Sequence, residues 1–308
     1  MDASIWMWVG FTVLVVGILA FDLGLFTKGP KTISGPEALV RCFVYFCLAM
    51  AFNGGIWYFM GSAKALEFTT GYLIEYALSM DNIFVIVLIF THFAVPPQYQ
   101  HRVLFWGILG AIVMRGALII AGTALINQFH WIIYLFGAFL VYSGIKMLRS
   151  VDDEPDMENN RVVKFVRSRF RMTETYEGEK FFVVRNGVRY MTPLFLVLIL
   201  IEMTDLVFAV DSIPAIFAIT TDPFIVWTSN VFAILGLRAL YFALAAIIHR
   251  FHYLKYGLSL VLCVVGTKML LIDVYKIPTA VALGITALLI GGSVVLSLMK
   301  TRKHAAHG

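Results

Sequence analysis

Residues 199–215 read ILIEMTDLVFAVDSIPA, and they lie within a longer apolar segment that extends from 192 to 219. About 20 apolar residues suffice for a helix to cross the hydrocarbon core of a bilayer. This stretch nevertheless carries three carboxylates, Glu202, Asp205 and Asp211. An ionised carboxylate at the bilayer centre costs about 2.5–3.5 kcal/mol on insertion scales, so acids at that depth need a compensating cation or proton and mark functional sites. The stretch therefore predicts a cation site on a membrane-spanning helix.

The composition of the whole chain is typical of a polytopic membrane protein. Of its 308 residues, 60% are hydrophobic and 14% are charged, and the mean hydropathy is +0.85. The first residues lack the basic segment and the small-residue cleavage site of a signal peptide, so we expect the first span to be retained. The predicted fold class is all-α, with about nine transmembrane helices at 5–26, 38–60, 68–92, 103–126, 131–148, 192–219, 224–249, 253–272 and 280–299.

The basic residues predict how the chain is oriented in the membrane. If the N-terminus lies outside, the inner loops and the tail hold 18 of the 24 Lys and Arg residues, and the outer loops hold two, Lys64 and Lys276. The positive-inside rule then places the C-terminus in the cytoplasm. Because this topology explains the net charge of +5, the expected partner is the lipid bilayer and not nucleic acid.

Two parts of the chain repeat each other. Residues 75–86 read EYALSMDNIFVI and residues 205–216 read DLVFAVDSIPAI, each with an acid followed six positions later by Asp. Further along, GIKML at 144–148 matches GTKML at 266–270. Each repeat holds three predicted helices, an odd number, so the second repeat must cross the membrane in the opposite sense. Inverted repeats with a binding site near the midplane are typical of secondary transporters.

These repeats define the predicted organisation of the chain. Two N-terminal helices precede the first repeat, a polar cytoplasmic loop separates the repeats, and a last helix with a basic tail follows the second. The boundaries are 1–67, 68–148, 149–191, 192–272 and 273–308. Within the loop, RVVKFVRSRFRM predicts a basic amphipathic helix at the inner membrane surface, and FFVVRNGVRY predicts a β-hairpin that turns at Asn-Gly. The loop contains no phosphate-binding or catalytic motif, so we predict neither an enzyme nor a bound cofactor.

The candidate metal ligands come from the two acidic motifs and from the acid that precedes the second. They are Glu75, Asp81, Asn82, Glu202, Asp205, Asp211 and Ser212. All of them offer oxygen, which favours a hard divalent cation such as Mn²⁺, Ca²⁺ or Mg²⁺. No His or Cys lies at ligand spacing among them, so Zn²⁺ and Cu⁺ are less favoured.

Helical periodicity places these side chains on defined faces. Glu75 and Asn82 are seven residues apart and face nearly the same way, and so do Asp205 and Ser212. The second Asp of each motif lies about 120° from that face, at roughly 100° per residue. Pro214 cannot donate to a carbonyl of the preceding turn. We therefore expect local unwinding of the helix there, which would let one ion reach both faces.

Further polar residues are candidates for supporting roles. Arg115 and Arg238 lie within predicted spans and are expected to act as counter-charges for the acids when no metal is bound. Asp22, Asn53 and Thr204 are candidates for the ion path. For Asp22 the alternative is solvation at the membrane interface, and for Asn53 it is packing between helices.

At these residues the chain resembles the TerC family of integral membrane proteins. The resemblance covers nearly the whole length and rests on GYLIEYALSMDNIFV, EMTDLVFAVDSIPAIFAITTDPFIV and FAILGLRALYF. It implies a nine-helix inner-membrane protein that exports Mn²⁺. The positions that match the family's metal path are Glu75, Asp81, Asn82, Glu202, Asp205 and Asp211. One departure is Tyr76, where many members have Lys after the first acid.

The residues and the resemblance together predict a secondary transporter that exports Mn²⁺ by alternating access, with exchange for protons as the candidate coupling. The metal is then the transported substrate. One alternative is a membrane scaffold in the response to tellurite or alkaline stress, and another is an exporter of a different solute. The sequence leaves the direction, the coupling ion, the preference for Mn²⁺ over Ca²⁺ and the oligomeric state open.

Overall fold

The computed structural model describes residues 4–26, 35–129, 131–149, 161–245, 253–275 and 277–305. Within these ranges the chain is almost entirely helical, as apolar segments must be to satisfy their own backbone hydrogen bonds in lipid. The elements are α1 (Ile5–Phe26), α2 (Gly35–Met60), α3 (Ser62–His92), α4 (Pro97–Gln128), α5 (Ile132–Arg149), α6 (Arg161–Arg169), β1 (Phe182–Arg185), β2 (Val188–Met191), α7 (Pro193–Phe217), α8 (Pro223–Leu244), α9 (Leu254–Leu270) and α10 (Thr279–Ala305). The all-α fold class is thereby confirmed.

Each of the nine predicted spans coincides with one long helix. Within the described ranges, seven helices are long and apolar enough to cross a membrane, namely α2, α3, α4, α5, α7, α8 and α10. Helix α1 has 22 residues and is apolar over Ile5–Phe21, the part of it whose side chains the structure describes, and α9 has 17 residues. A multi-pass helical architecture therefore holds, while the count of nine spans stays a prediction.

Proline fixes where the helices around the central acids begin. Pro97, Pro193 and Pro223 lie in the first turns of α4, α7 and α8, where the missing N–H would have no partner in the helix anyway. The residue before Pro223 also caps α8, because Asp222 Oδ1 accepts a hydrogen bond from Phe224 N at 3.0 Å. The predicted spans at 192 and 224 begin within one residue of α7 and α8, whereas α4 begins six residues before the predicted 103.

The packing of the long helices supports the internal repeat. Helix α3 packs on α7 and α8, α4 packs on the same two helices, and α5 packs on α9. If α3, α4 and α5 are exchanged with α7, α8 and α9, this set of contacts is unchanged, as a two-fold relation between the repeats requires. The opposite orientation of the two repeats in the membrane stays a prediction.

Individual residues follow the same relation where α5 crosses α9. A Cβ on Gly144 would lie 2.7 Å from the carbonyl oxygen of Ser259, and a Cβ on Gly137 would lie 3.0 Å from that of Gly266. Gly144 matches Gly266 in the repeat, and Gly137 matches Ser259 at the same offset of 122 residues. The two contacts are therefore exchanged when the repeats are exchanged, and small residues allow the two backbones to approach closely.

Replacing Gly144 with alanine should lower the melting temperature of the purified protein by several degrees. Alanine gains about 1 kcal/mol over glycine in a helix, but here its Cβ would push α5 away from α9. A matched control is Gly54→Ala, because a Cβ on Gly54 meets nothing within 4 Å, so its melting temperature should be unchanged or higher. Equal thermal unfolding curves for the two variants would show that α5 and α9 do not pack this closely.

The predicted hairpin in the polar loop is confirmed. Strands β1 and β2 pair antiparallel, with Arg185 opposite Val188. The turn residues Asn186 and Gly187 have φ angles of 52° and 75°, as a two-residue hairpin turn with two positive φ angles requires. The sequence Asn-Gly is the strongest local signal for this turn.

The predicted basic helix is present as α6, and one of its faces packs on protein. Val163 and Val166 are buried in one cluster with Met191 of β2 and Leu194 of α7. The apolar face of α6 therefore packs on protein, at the end where α7 begins, and its predicted place at the inner membrane surface stays a prediction. Phe165 remains 63% exposed. Residues 150–160, at the start of the predicted loop, lie outside the described part of the chain.

Candidate cation site

Arg115 of α4 lies where α3, α4 and α7 meet, and it is 1% exposed. Its Nε and Nη2 donate to the two carboxylate oxygens of Asp205 on α7, at 3.1 and 2.8 Å. Its Nη1 donates to Ser212 Oγ at 3.3 Å and forms an ion pair with Glu75 on α3. A bidentate contact between guanidinium and carboxylate is among the strongest polar contacts in proteins. One buried cation thus joins acids from both repeats.

Asn82 completes this group. Its Nδ2 donates to Asp205 Oδ1 at 3.1 Å, which connects α3 directly to α7. Among the described residues, Asn82 Oδ1 and both carboxylate oxygens of Glu75 have no hydrogen-bond partner of normal geometry. We call Glu75, Asn82, Arg115, Asp205 and Ser212 the central cluster. It offers buried oxygen atoms that the protein itself satisfies only in part, which is how a site for a cation or for water is recognised.

Helical spacing predicted the faces correctly, since Glu75 and Asn82 meet Asp205 and Ser212 in the structure. The expected local unwinding is wrong. Helix α3 is continuous from Ser62 to His92, and α7 continues through Pro214 to Phe217. Pro214 lies near the end of α7, and Ala218 N donates to its carbonyl oxygen at 3.0 Å. The missing hydrogen bond is thus confined to one turn, and Asp211, the second Asp of its motif, keeps to a different face.

Asp211 accordingly lies apart from the central cluster. It accepts a hydrogen bond from Ser143 Oγ of α5 at 2.8 Å. Both residues line a cavity of about 470 Å³ between α5, α7 and α9, which Lys146 and Lys255 also line. Two ammonium groups and one carboxylate give this cavity a lining with a formal charge of +1, which disfavours a divalent cation. Ser143 was not singled out from the sequence, since a lone serine in an apolar helix carries little signal.

Glu202 lies one turn before Asp205 and points toward α4. A Cβ on Gly110 would overlap the Glu202 carboxylate, so the absence of a side chain at Gly110 makes room for this acid. Glu202 Oε2 is buried and has no hydrogen-bond partner within the described part of the chain. Glu202 is therefore placed beside the central cluster, and Gly110 is a supporting residue that the sequence analysis did not identify.

A small cavity adjoins the central cluster. It has a volume of about 20 Å³, and its lining includes Asn82, Thr204, Asp205 and Leu237. A volume of about 10–15 Å³ on this measure is enough for one water molecule. The hydroxyl of Thr204 donates to Leu200 O at 2.7 Å, so its oxygen can still accept or coordinate. The cavity therefore has room for one water molecule or one unhydrated ion beside Asp205.

The other predicted residues are placed as follows. Arg238 is buried on α8. Asn53 of α2 donates through Nδ2 to Thr69 Oγ1 of α3 at 2.8 Å, and its buried Oδ1 has no hydrogen-bond partner among the described residues, so both alternatives for Asn53, helix packing and the ion path, stay predictions. The side chains of Asp22 and Asp81 lie outside the described residues. Roles for Arg238, Asp22 and Asp81 in the ion path stay predictions.

In this conformation the Arg115 guanidinium occupies the central cluster between its two acids. Among the described side chains, no three His, Cys, Asp or Glu residues lie close enough together to hold a metal ion. Glu75 and Asp205 instead share Arg115, so the formal charge of these three groups is −1. A metal ion could use the same carboxylates only after the guanidinium has moved.

Comparisons with known proteins agree with this architecture. The profile described as the integral membrane protein TerC family matches residues 60–305. The membrane protein STKORF319 of Myxococcus xanthus is 48% identical over 296 residues, which cover 96% of this chain and 93% of that protein. Alx of Escherichia coli K12, described by its name as a membrane-bound redox modulator, is 49% identical over 288 residues, which cover 91% of this chain and 90% of that protein. Alx of Salmonella typhi is 49% identical over 288 residues, which cover 91% of this chain and 89% of that protein. No solved structure matches the chain. The chain belongs to the TerC family of integral membrane proteins.

Proposed function

We propose that this protein is a secondary transporter that exports a divalent cation, Mn²⁺ in first place, across the inner membrane by alternating access. The observation that carries the proposal is the central cluster. It brings two buried acids, an amide and a hydroxyl from α3 and α7 to one guanidinium. Buried charges of this kind in a membrane protein mark pathways for ions and protons.

The donor atoms favour a hard cation. Carboxylate, amide and hydroxyl oxygens suit Mn²⁺, Ca²⁺ and Mg²⁺. Met203 is 42% exposed, so its thioether is directed away from the buried oxygens and does not add a soft ligand. The preference for Mn²⁺ thus rests on what the resemblance to the family implies, and the coordination chemistry supports the wider class of hard dications.

Arg115 gives the empty site its counter-charge. If Arg115 moves away, a divalent cation can take its place between Glu75 and Asp205. Because the dication carries one more positive charge than the guanidinium, the local formal charge then changes from −1 to 0. Without such a replacement, two acids at this depth would face each other unpaired, which is strongly unfavourable. Metal binding and the movement of Arg115 are therefore coupled, as a change between two conformations of a carrier requires.

The membrane potential opposes export. Moving one charge across 100 mV requires about 2.3 kcal/mol, so a dication moving outward against an inside-negative potential requires about 4.6 kcal/mol per 100 mV. Exchange for two protons would make each cycle electrically neutral. Carboxylates that bind either a metal ion or protons are suited to such exchange, which makes proton antiport the coupling that we propose.

Proteoliposomes containing the purified protein should take up or release Mn²⁺ faster than empty liposomes, and an opposing pH gradient should accelerate the flux. A panel of Mn²⁺, Ca²⁺, Mg²⁺ and Zn²⁺ measures the preference, with Mn²⁺ expected to be fastest and Zn²⁺ slowest. Mn²⁺ flux that ignores the pH gradient would reject proton exchange. If none of these cations moves, the transporter proposal fails, and the scaffold role or export of another solute becomes the better hypothesis.

A further inference from the structure

Asn230 of α8 has a buried side chain that the protein leaves unsatisfied. It is 0% exposed, and neither its amide oxygen nor its amide nitrogen has a hydrogen-bond partner among the described residues. The two residues before it are buried as well, but their side chains are hydrogen-bonded. Thr228 and Ser229 are equally buried, but their hydroxyls donate to carbonyl oxygens of the same helix at 2.7 and 3.2 Å. A buried polar group left without a partner costs about 1–3 kcal/mol, so an unpaired amide calls for an explanation such as an ion or water.

The position of Asn230 follows from the contacts of its neighbours on the same helix face. Residues 227, 230, 234 and 237 recur at intervals of three and four, so they share one face. A Cβ on Gly116 of α4 would lie 2.9 Å from the ring of Trp227. Ile234 packs with residues 108 and 111 of α4, and Leu237 lines the small cavity beside Asp205. Asn230 therefore faces the interior, between the Gly116 contact and the small cavity.

The level of Asn230 along the bundle can be read from α3. A Cβ on Gly71 would lie 3.0 Å from Ser229 Oγ, and Glu75 follows Gly71 by one turn. Because α3 and α8 are the third and seventh predicted spans, they are predicted to cross the membrane in the same direction. Asn230 follows Ser229 by one residue whereas Glu75 follows Gly71 by four, so Asn230 lies about one turn from the Glu75 level, toward the start of α8. In the predicted topology that is the outer side. Asn230 is thus the next unsatisfied polar group outward from the central cluster.

A second unsatisfied group continues this row. Thr123 Oγ1 of α4 also lacks a hydrogen-bond partner in the described part of the chain. Thr123 is seven residues after Gly116 and four after Ile119, which is buried, so it shares their face at about 100° per residue. From the predicted inner side outward, unsatisfied oxygens of Asn82, Glu75, Asn230 and Thr123 follow one another. Among the described residues, Glu202 and Asn53 carry further unsatisfied oxygens.

We infer that Asn230, and beyond it Thr123, form the outer half of the cation path, with the Asn230 amide oxygen as a ligand for the cation on its way from the central cluster. This inference rests on the proposed function and extends it to residues on α8 and α4. A neutral amide oxygen is a hard ligand without charge. It binds a dication more weakly than a carboxylate does, as a site between a tight binding site and open water must.

The test compares Asn230→Ala with Ser229→Ala in the purified, full-length protein. Without added metal, Asn230→Ala should melt at the same temperature as the wild type or higher, because no hydrogen bond within the protein is lost. Its Mn²⁺ flux in proteoliposomes should fall by about tenfold, which corresponds to about 1.4 kcal/mol. Ser229→Ala should keep the wild-type flux. Asn230→Asp restores an oxygen ligand with a charge, so we expect it to bind Mn²⁺ more tightly and to raise the Mn²⁺-dependent gain in melting temperature.

The melting temperature and the flux of these variants separate failure of this inference from failure of the proposed function. A large fall in the metal-free melting temperature of Asn230→Ala would show that Asn230 is held by protein contacts, and it would overturn the inference. Wild-type flux in Asn230→Ala would also overturn it, while the transporter proposal would stand. Absence of Mn²⁺ flux in the wild type itself would overturn the proposed function and, with it, this assignment.

Discussion

Replacing Asp205 with asparagine should reduce Mn²⁺ flux by roughly 100-fold, which corresponds to about 2.8 kcal/mol. Asparagine has nearly the same shape, so helix packing around it should be retained. Asp205 accepts hydrogen bonds from Arg115 and from Asn82, and loss of its charge changes the formal charge of Glu75, Arg115 and residue 205 from −1 to 0. The variant would then attract a dication far less, and Arg115 would retain only Glu75 as its acidic partner within the described cluster. Flux of radioactive Mn²⁺ into proteoliposomes measures the effect.

Asp211→Asn is the matched comparison for Asp205→Asn. Both changes neutralise one acid on α7, but Asp211 lies beside Ser143 in a cavity that two lysines also line. We expect Asp211→Asn to reduce flux much less than Asp205→Asn. Size-exclusion profiles of both variants should match that of the wild type, which excludes misfolding. The opposite order of the two effects would place the site in the cavity between α5, α7 and α9 and would contradict the central cluster.

Replacing Arg115 with glutamine should destabilise the metal-free protein by about 3–5 kcal/mol, because removal of one partner leaves buried charges uncompensated. Glu75 and Asp205 would then lie near each other without a counter-charge. Mn²⁺ can supply that charge, so the rise in melting temperature on adding Mn²⁺ should be larger in Arg115→Gln than in the wild type. Thermal unfolding with and without Mn²⁺ measures both effects in one experiment.

Two further variants make the Arg115 result specific. Arg115→Lys keeps the charge but loses the bidentate contact with Asp205, so its metal-free melting temperature should lie between those of Arg115→Gln and the wild type. Arg102→Gln is the control, because it removes an arginine whose ion pair with Glu179, at 3.4 Å, is partly exposed. Such pairs contribute little to stability, so its metal-free melting temperature should stay close to that of the wild type. If Mn²⁺ stabilised Arg115→Gln no more than the wild type, the guanidinium would not occupy the place of the cation.

Helical periodicity was enough to predict much of the central cluster. A spacing of seven residues places Glu75 with Asn82, and Asp205 with Ser212, on single faces of α3 and α7. The repeat then suggested that these two faces meet, and the contact between Asn82 and Asp205 agrees with it. The spans and the hairpin turn follow equally from local signals, namely apolar length, proline and Asn-Gly.

The contacts that complete the site could not be read from the sequence. Arg115 binds Asp205 across 90 residues of chain, and periodicity does not tell which acid a buried arginine will choose. The face of Asp211 was predicted, but its neighbour Ser143 depends on how α5 packs against α7. Asn230 carries no sequence signal at all, since an asparagine is notable only once its surroundings prove to lack a partner.

The most direct test of the central cluster is the location of bound Mn²⁺ in crystals of the full-length protein grown with MnCl₂, found by anomalous diffraction at the manganese absorption edge. The account predicts one strong peak between Glu75 and Asp205, with the Arg115 guanidinium displaced from both carboxylates. The account would be contradicted if, at saturating Mn²⁺, Arg115 remained bound to Asp205 and the only manganese peak lay beside Asp211 or on the protein surface.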